Sequence, residues 1–251
     1  MTKNDAPLIN LADIAEALTL LSRLPIASQG KRGSAAVWAY PVAGLAIGGI
    51  AGAAGHLTVY LGLPTALAAI AALACQIIIT GAMHEDGFAD SVDGLWGGWD
   101  RTRRLEIMKD SQIGSYGVIA LCLSLTCRWV LLWFLFDLNH EAAPAAIAVA
   151  AALSRAAMPV LMWSLPHARA DGLSHSVGAP SVQSVLIGLA IAAFAACILT
   201  LSTALPAIIA AGCVTLVVRQ IARAKINGQT GDILGATQQM VEIVVLTAII
   251  A

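Results

Sequence analysis

The acidic residues are concentrated where they could hold a cation. Segment 84–110, HEDGFADSVDGLWGGWDRTRRLEIMKD, carries Glu85, Asp86, Asp90, Asp93, Asp100, Glu106 and Asp110, seven of the 15 Asp and Glu in the chain. On a helix, Asp86, Asp90 and Asp93 stand at i, i+4 and i+7 and share one face. Carboxylates this close raise one another's pKa unless a cation lies among them. Hard oxygen donors suit Mg2+, which takes one or two carboxylates and completes its shell with water and substrate phosphate. Gly87, Gly94, Gly97 and Gly98 would let a phosphate approach the backbone. The competing reading is a solvated charged loop, which rarely places three Asp on one helical face. Glu106 and Asp110 repeat the i, i+4 spacing. One of them could join the metal shell while Lys109 meets a phosphate as a point charge. His84 is a phosphate donor, a proton carrier, or only a histidine capping the preceding apolar stretch. Arg101, Arg103 and Arg104 are less specific and read as membrane anchors.

A second polar group occurs at Lys-Ile-Asn-Gly-Gln-Thr-Gly-Asp (225–232), where Asn227, Thr230 and Asp232 precede another apolar stretch. A helix N-terminus there, its N–H groups freed by Gly228 and Gly231, would be an anion site. Asp232 could equally be no more than its N-cap. Glu242 falls about two and a half turns into that stretch. A carboxylate at such depth needs a partner, for which Arg155 and Arg128 are the candidates, each a structural pair or a substrate contact. His56, His140, His167 and His175 have no partner in sequence.

The elements that must position these groups are membrane helices. The 251 residues are 59% hydrophobic and 12% charged, with 22 Gly besides, whereas soluble domains carry roughly 25% charge. That is too little to cover a soluble surface, and a net charge of −1 offers nucleic acid no basic stripe. Stretches near the ~20 residues needed to cross hydrocarbon lie at 35–60, 63–83, 113–136, 142–163, 182–203, 204–224 and 233–251. The expected fold is therefore all-α: a polytopic bundle of about seven transmembrane helices, forming one domain over 1–251. Segment 8–24, with Asp13, Glu16 and Arg23 among Leu and Ile, reads as an N-terminal interfacial helix. Those charges also stand where the apolar region of a cleavable signal would have to lie. Apart from Arg128 and Arg155, every Lys and Arg, including Lys3 and Lys31, falls on one side of these spans. The positive-inside rule makes that side cytoplasmic. Gly44, Gly48, Gly52 and Gly55 recur at helical spacing and predict close helix packing. Cys75, Cys122, Cys127, Cys197 and Cys213 lie in apolar stretches and fit neither a disulfide framework nor a zinc site.

A metal and phosphate site at the mouth of an apolar bundle suits phosphoryl or nucleotidyl transfer. The motif Asp86-Gly87-Phe88-Ala89-Asp90-Ser91-Val92-Asp93-Gly94, preceded by Thr80-Gly81 and His84, resembles the signature of the cobalamin synthase (adenosylcobinamide-GDP ribazoletransferase) family. Further matches follow in family order over nearly the whole chain. They are Leu21-Ser22-Arg23-Leu24-Pro25, Tyr40-Pro41-Val42-Ala43-Gly44, Glu106-Ile107-Met108-Lys109-Asp110-Ser111-Gln112-Ile113-Gly114, Ser154-Arg155 and Thr230-Gly231-Asp232-Ile233-Leu234-Gly235-Ala236. Ser91-Val92 departs mildly from a more usual Thr-Ala, without removing a carboxylate.

The resemblance implies that adenosylcobinamide-GDP reacts with α-ribazole or its 5′-phosphate, giving adenosylcobalamin or its phosphate plus GMP. It implies Mg2+ held by Asp86, Asp90 and Asp93, with Glu106 or Asp110 as a further ligand, and Lys109 neutralising phosphate. Arg23, Arg155, Asn227, Thr230 and Asp232 would meet substrate, and Asp93 or His84 would take the hydroxyl proton. It further implies a multi-pass protein of the inner membrane with its site facing the cytoplasm. Partners would be the lipid bilayer, no nucleic acid, and a second copy or other membrane enzymes of the cobalamin pathway. Two alternatives compete. A CDP-alcohol-phosphotransferase-like enzyme would need Ala-Arg where Ala89-Asp90 stands. A seven-span transporter would place its polar groups near the midplane, often in repeated halves.

Overall fold

The computed structural model describes residues 7–28 and 32–251; Lys3 and Lys31 lie outside them. The helices are α1 (Ala12–Leu21), α2 (Tyr40–Tyr60, entered by a 3-10 helix over Gly33–Ala39), α3 (Thr65–Thr80), α4 (Met83–Gly97), α5 (Arg101–Ile107) and α6 (Ser115–Asn139). They continue as α7 (Ala143–Ser164), α8 (Leu173–Val177), α9 (Val182–Leu199), α10 (Ala204–Ile226) and α11 (Gly231–Ile250). Among the described residues the one extended pairing is an isolated bridge between His167 and Gln229. The chain is all-α, as expected. Six stretches are long and apolar enough to cross a membrane, and the bent pair α3–α4 makes a seventh if counted as one. The protein is thus a multi-pass membrane protein, and the expected spans agree with the helices to within a few residues.

The main departure is at the end of the second span. The acidic motif follows directly on the apolar stretch 63–83, and a straight continuation would have put both on one helix. Instead Gly81 (φ +64°) and Ala82 (φ +58°) both take left-handed backbone, and α4 leaves α3 at 85°. Gly81 serves as the left-handed cap that ends α3. The turn carries Asp86, Asp90 and Asp93 out of the line of the apolar helix, where each carboxylate would be costly, while Glu85 at its start stays buried in the bundle. Exposed Trp96 and Trp99 follow at its far end, as interfacial aromatics do. We therefore read α3 as the membrane limb and α4 as lying outside the span.

The centre of the bundle is α7, whose small residues are buried almost along its length. A Cβ on Gly44, Gly48 or Gly52 of α2 would come within 2.4, 2.7 and 2.6 Å of the α7 backbone. The glycine row thus sets the α2–α7 distance, and close packing of this kind drives association where lipid removes the hydrophobic incentive. Gly49, on the same helix, has nothing within 4 Å of its would-be Cβ. Gly44→Ala is accordingly expected to destabilise by about 1–3 kcal/mol through overpacking. Gly49→Ala should be neutral or slightly stabilising, and thermal unfolding of the two variants in detergent compares them directly.

α1 is shorter than the expected interfacial segment, and its acids face the protein. Asp13 is buried, accepting from Trp38 Nε1 at 2.7 Å and pairing with Arg32 Nε at 2.8 Å. Glu16 accepts the backbone N–H groups of Arg32 and Gly33.

Four helices meet on one buried cation. Arg128 of α6 donates to Glu85 of α4 (2.7 Å), Gln76 of α3 (2.9 Å), and Gln239 and Glu242 of α11 (3.0 and 2.9 Å). Of the two partners foreseen for Glu242, Arg128 is the one that pairs with it. Arg155, also fully buried, donates from Nη1 to the Ala151 carbonyl at 3.1 Å, and its Nε has no partner.

Candidate functional site

The site is built where α4 crosses the first turn of α11. Thr230 is the N-cap of α11, accepting from Ile233 N and donating to Asp232 Oδ2 at 3.1 Å. Asp232 is therefore not the cap but sits in the first turn. A Cβ on Gly87 would lie 3.0 Å from Asp232 Cα, and one on Gly235 would lie 3.2 Å from the His84 carbonyl. These two glycines let the backbones cross closely enough to bring Asp232 beside Asp86 and Asp90. Gly94 and Gly98 face Met108 and Arg104 at similarly short range. Three of the four glycines expected to cradle phosphate thus serve helix contacts instead.

Two cavities meet at Asp86. One, of about 210 Å3, is walled mainly by apolar side chains of α1, α2, α7, α8 and α11, and includes His84, Asp86, Arg169 and Asp232. The other, of about 310 Å3, lies between α4 and the α5–α6 connection and includes Asp86, Asp90, Lys109 and Asp110. Partial burial, then the carboxylates of Asp86, Asp232 and Asp93, push the Asp90 carboxyl up to about 7, against the opposing pull of Arg169.

That shift has a consequence for stability. A carboxyl raised above its unfolded value of ~3.9 binds more protons folded than unfolded between that value and about 7. Its contribution is fully present below the lower limit and lost as pH rises through the upper one. Metal-free protein should therefore melt at a lower temperature at pH 8 than at pH 5.5, and Asp90→Asn should shrink the difference. Melting curves of both proteins in EDTA at the two pH values measure this.

Arg169, in the α7–α8 loop, answers the acids and was counted from sequence only as a loop cation. Its Nη2 pairs with Asp232 at 3.2 Å and its Nε lies 3.6 Å from Asp171, while Nη1 has no partner. Lys109 reaches Asp171 at 2.5 Å from the other cavity. The chain Lys109–Asp171–Arg169–Asp232 thus links the two. Nothing in the local sequence marks Arg169; only the fold places it here.

The other expected site residues divide. Asp110 lines the second cavity, whereas Glu106 is exposed and paired with Arg103 at 3.2 Å. Asp93 is buried and lines neither cavity. Its two oxygens accept the N–H groups of Gly114 and Gly117, at 2.8 and 2.9 Å, capping the first turn of α6. Asp93 thus holds the start of α6 and bears on the neighbouring Asp90 through its charge. His84 is fully buried, lines the first cavity and has no partner at Nε2. Burial, then the cations Arg155 and Arg128, hold its pKa well below the ordinary value. Arg23 packs over Gly81 at the α3–α4 break and lines neither cavity. Asn227 is the exposed left-handed cap of α10 (φ +53°), so its role is to end that helix.

Of the basic residues read as anchors, Arg101 donates to the Ile226 and Ala168 carbonyls and Arg104 to that of Lys225. They tie the loops bordering the site to one another. Among the described residues, no three His, Cys, Asp or Glu side chains converge closely enough to hold a metal by themselves. Two adjacent carboxylates with a raised Asp90 fit Mg2+, whose remaining ligands come from water and phosphate.

Comparison with known proteins identifies the family. The model of the family described as Cobalamin-5-phosphate synthase matches residues 13–250. The chain is 44% identical to an adenosylcobinamide-GDP ribazoletransferase of Bradyrhizobium diazoefficiens, covering 94% of this chain and 92% of that protein. It is 43% identical to the protein of the same name from Azorhizobium caulinodans, over 96% of each. A third, from Mesorhizobium japonicum, is 41% identical over 94% of this chain and 92% of its own length. No solved structure matches. With a family match spanning both walls of the site and relatives aligned almost end to end, the chain belongs to the cobalamin-5-phosphate synthase family.

Proposed function

We propose that this transferase joins adenosylcobinamide-GDP to α-ribazole or its 5′-phosphate, releasing GMP, and does so with Mg2+ at Asp86 and Asp90. The observation that carries the reading is the meeting of an apolar and a polar cavity at Asp86, with Asp90, Asp232 and Arg169 around it. Mg2+ bound there would supply charge neutralisation on the diphosphate. Asp110 stands where it can add a ligand through water, and Lys109 and Arg169 face the leaving phosphate as cations.

A ribose hydroxyl attacks the phosphate joined to the corrinoid side chain; the new P–O bond forms as the bond to GMP breaks. Of the two groups expected to take the hydroxyl proton, His84 is the unengaged one. With its basicity held down by burial and by Arg155 and Arg128, the neutral ring would orient the hydroxyl by accepting its hydrogen bond at the unpartnered Nε2, and the proton passes on to solvent as the P–O bond forms. Asp232, oriented by Thr230 and Arg169, forms the second wall. Arg155, which lines neither cavity, bears on His84 through its charge.

Apart from Arg128 and Arg155, the described Lys and Arg fall at one end of the spans, the end that carries the site, which favours a cytoplasmic face in the inner membrane. The exposed apolar belt meets lipid, a second copy, or other membrane enzymes of the pathway. The family match and the placement of the acids at one end of the bundle disfavour the CDP-alcohol and transporter readings. Purified protein given adenosylcobinamide-GDP and α-ribazole should yield GMP and adenosylcobalamin in equal amounts by mass spectrometry. No GMP, or GMP released without adenosylcobalamin, would refute the reading.

A further inference from the structure

The two cavities that share Asp86 differ in kind, and that difference sorts the substrates. We propose that the cavity of about 210 Å3 seats the bicyclic apolar base of α-ribazole, with Met158 and Met162 as residues that select it. The assignment rests on the ribazoletransferase reading.

Size excludes the corrin macrocycle, which far exceeds such an enclosure. Guanine suits it less than an apolar base does, because Leu21, Val177, Leu234 and the two methionines offer its hydrogen-bonding edge nothing and the polar members, Asp86, Arg169 and Asp232, are the groups that the phosphate and metal require. A dimethylbenzimidazole has the opposite character: flat, largely apolar, and rewarded by burial. Met158 and Met162 stand one turn apart on the same face of α7, both buried and both lining the cavity. Polarizable thioethers of this kind suit the face and edge of a heteroaromatic ring.

The charged members of the lining, Asp86, Arg169 and Asp232, are neighbours of one another. A base held by the methionines would carry its ribose toward them. Because Asp86 also lines the second cavity, the nucleoside and the diphosphate would meet across that one carboxylate.

The test measures KM for each substrate separately by GMP release from the purified full-length protein. In the wild type, benzimidazole riboside, which lacks both methyl groups, should have a KM roughly tenfold above that of α-ribazole, since each buried methyl adds severalfold to affinity. Met158→Gln and Met162→Gln keep the side-chain length and add a polar group. Each should raise the KM for α-ribazole about tenfold, with the KM for adenosylcobinamide-GDP unchanged within about twofold. The variants should also narrow the preference for the methylated base. If the KM for adenosylcobinamide-GDP rises instead, or the wild type does not distinguish the two ribosides, this assignment is overturned while the function stands. Failure of the wild type to release GMP would overturn the function and the assignment together.

Discussion

Asp86→Asn and Asp90→Asn should each lower the rate of GMP release by on the order of a hundred- to a thousandfold, the usual scale for losing one group that stabilises transition-state charge. The two carboxylates are one turn apart on α4 and line the polar cavity together. Asn keeps the shape of each and removes the charge that would hold Mg2+. Neither change should damage the fold, because the cluster is self-repelling and Asp90 carries the raised carboxyl. Melting temperature in EDTA should stay level or rise. Glu106→Gln is the contrasting case. Its exposed carboxylate is paired with Arg103 away from both cavities, so its loss should change the rate less than about twofold, in keeping with the small worth of surface pairs. A large loss in Glu106→Gln with little in Asp90→Asn would move the metal site to α5.

The second large effect is on stability. Arg128→Leu would leave Glu85 and Glu242 buried without their cation. Breaking a buried pair from one side costs about 3–5 kcal/mol. The variant should unfold well below the wild type in detergent. Adding Glu242→Gln should restore most of the loss, since the neutral amide still hydrogen-bonds to Gln76 and Gln238 and the remaining Glu85 is left with Arg155, one buried charge against one. Thermal unfolding of the single and double variants decides this. If the double variant is no better than the single one, the charge balance is not what holds these four helices together.

Hydropathy revealed most of the bundle, because a membrane span is a long, local signal and its ends are set by the same twenty or so residues that make it apolar. The glycine row on α2 was equally visible, since its spacing is local. The break after α3 was not, for Ala82 gives no hint of a left-handed backbone. Gln76, Gln238 and Gln239 are polar groups inside apolar helices and could have been suspected of forming a buried network. The residues whose surroundings sequence could not show are those held by distant partners. Asp93 has the spacing of a ligand but serves Gly114 and Gly117 on the next helix. Arg169 has no local mark at all, and its position opposite Asp232 follows only from the α7–α8 loop folding over the start of α11. The carboxylates of α4 were legible as a group; their division into those facing a cavity and those holding the bundle was not.

The most direct measurement is the rate of GMP release from adenosylcobinamide-GDP and α-ribazole by the purified protein, first in EDTA and then as Mg2+ is restored. No release in EDTA, full recovery with Mg2+, and no recovery in Asp90→Asn are the predicted results. Undiminished release in EDTA would contradict a metal at Asp86 and Asp90, and with it the reason for bringing these two carboxylates together on α4.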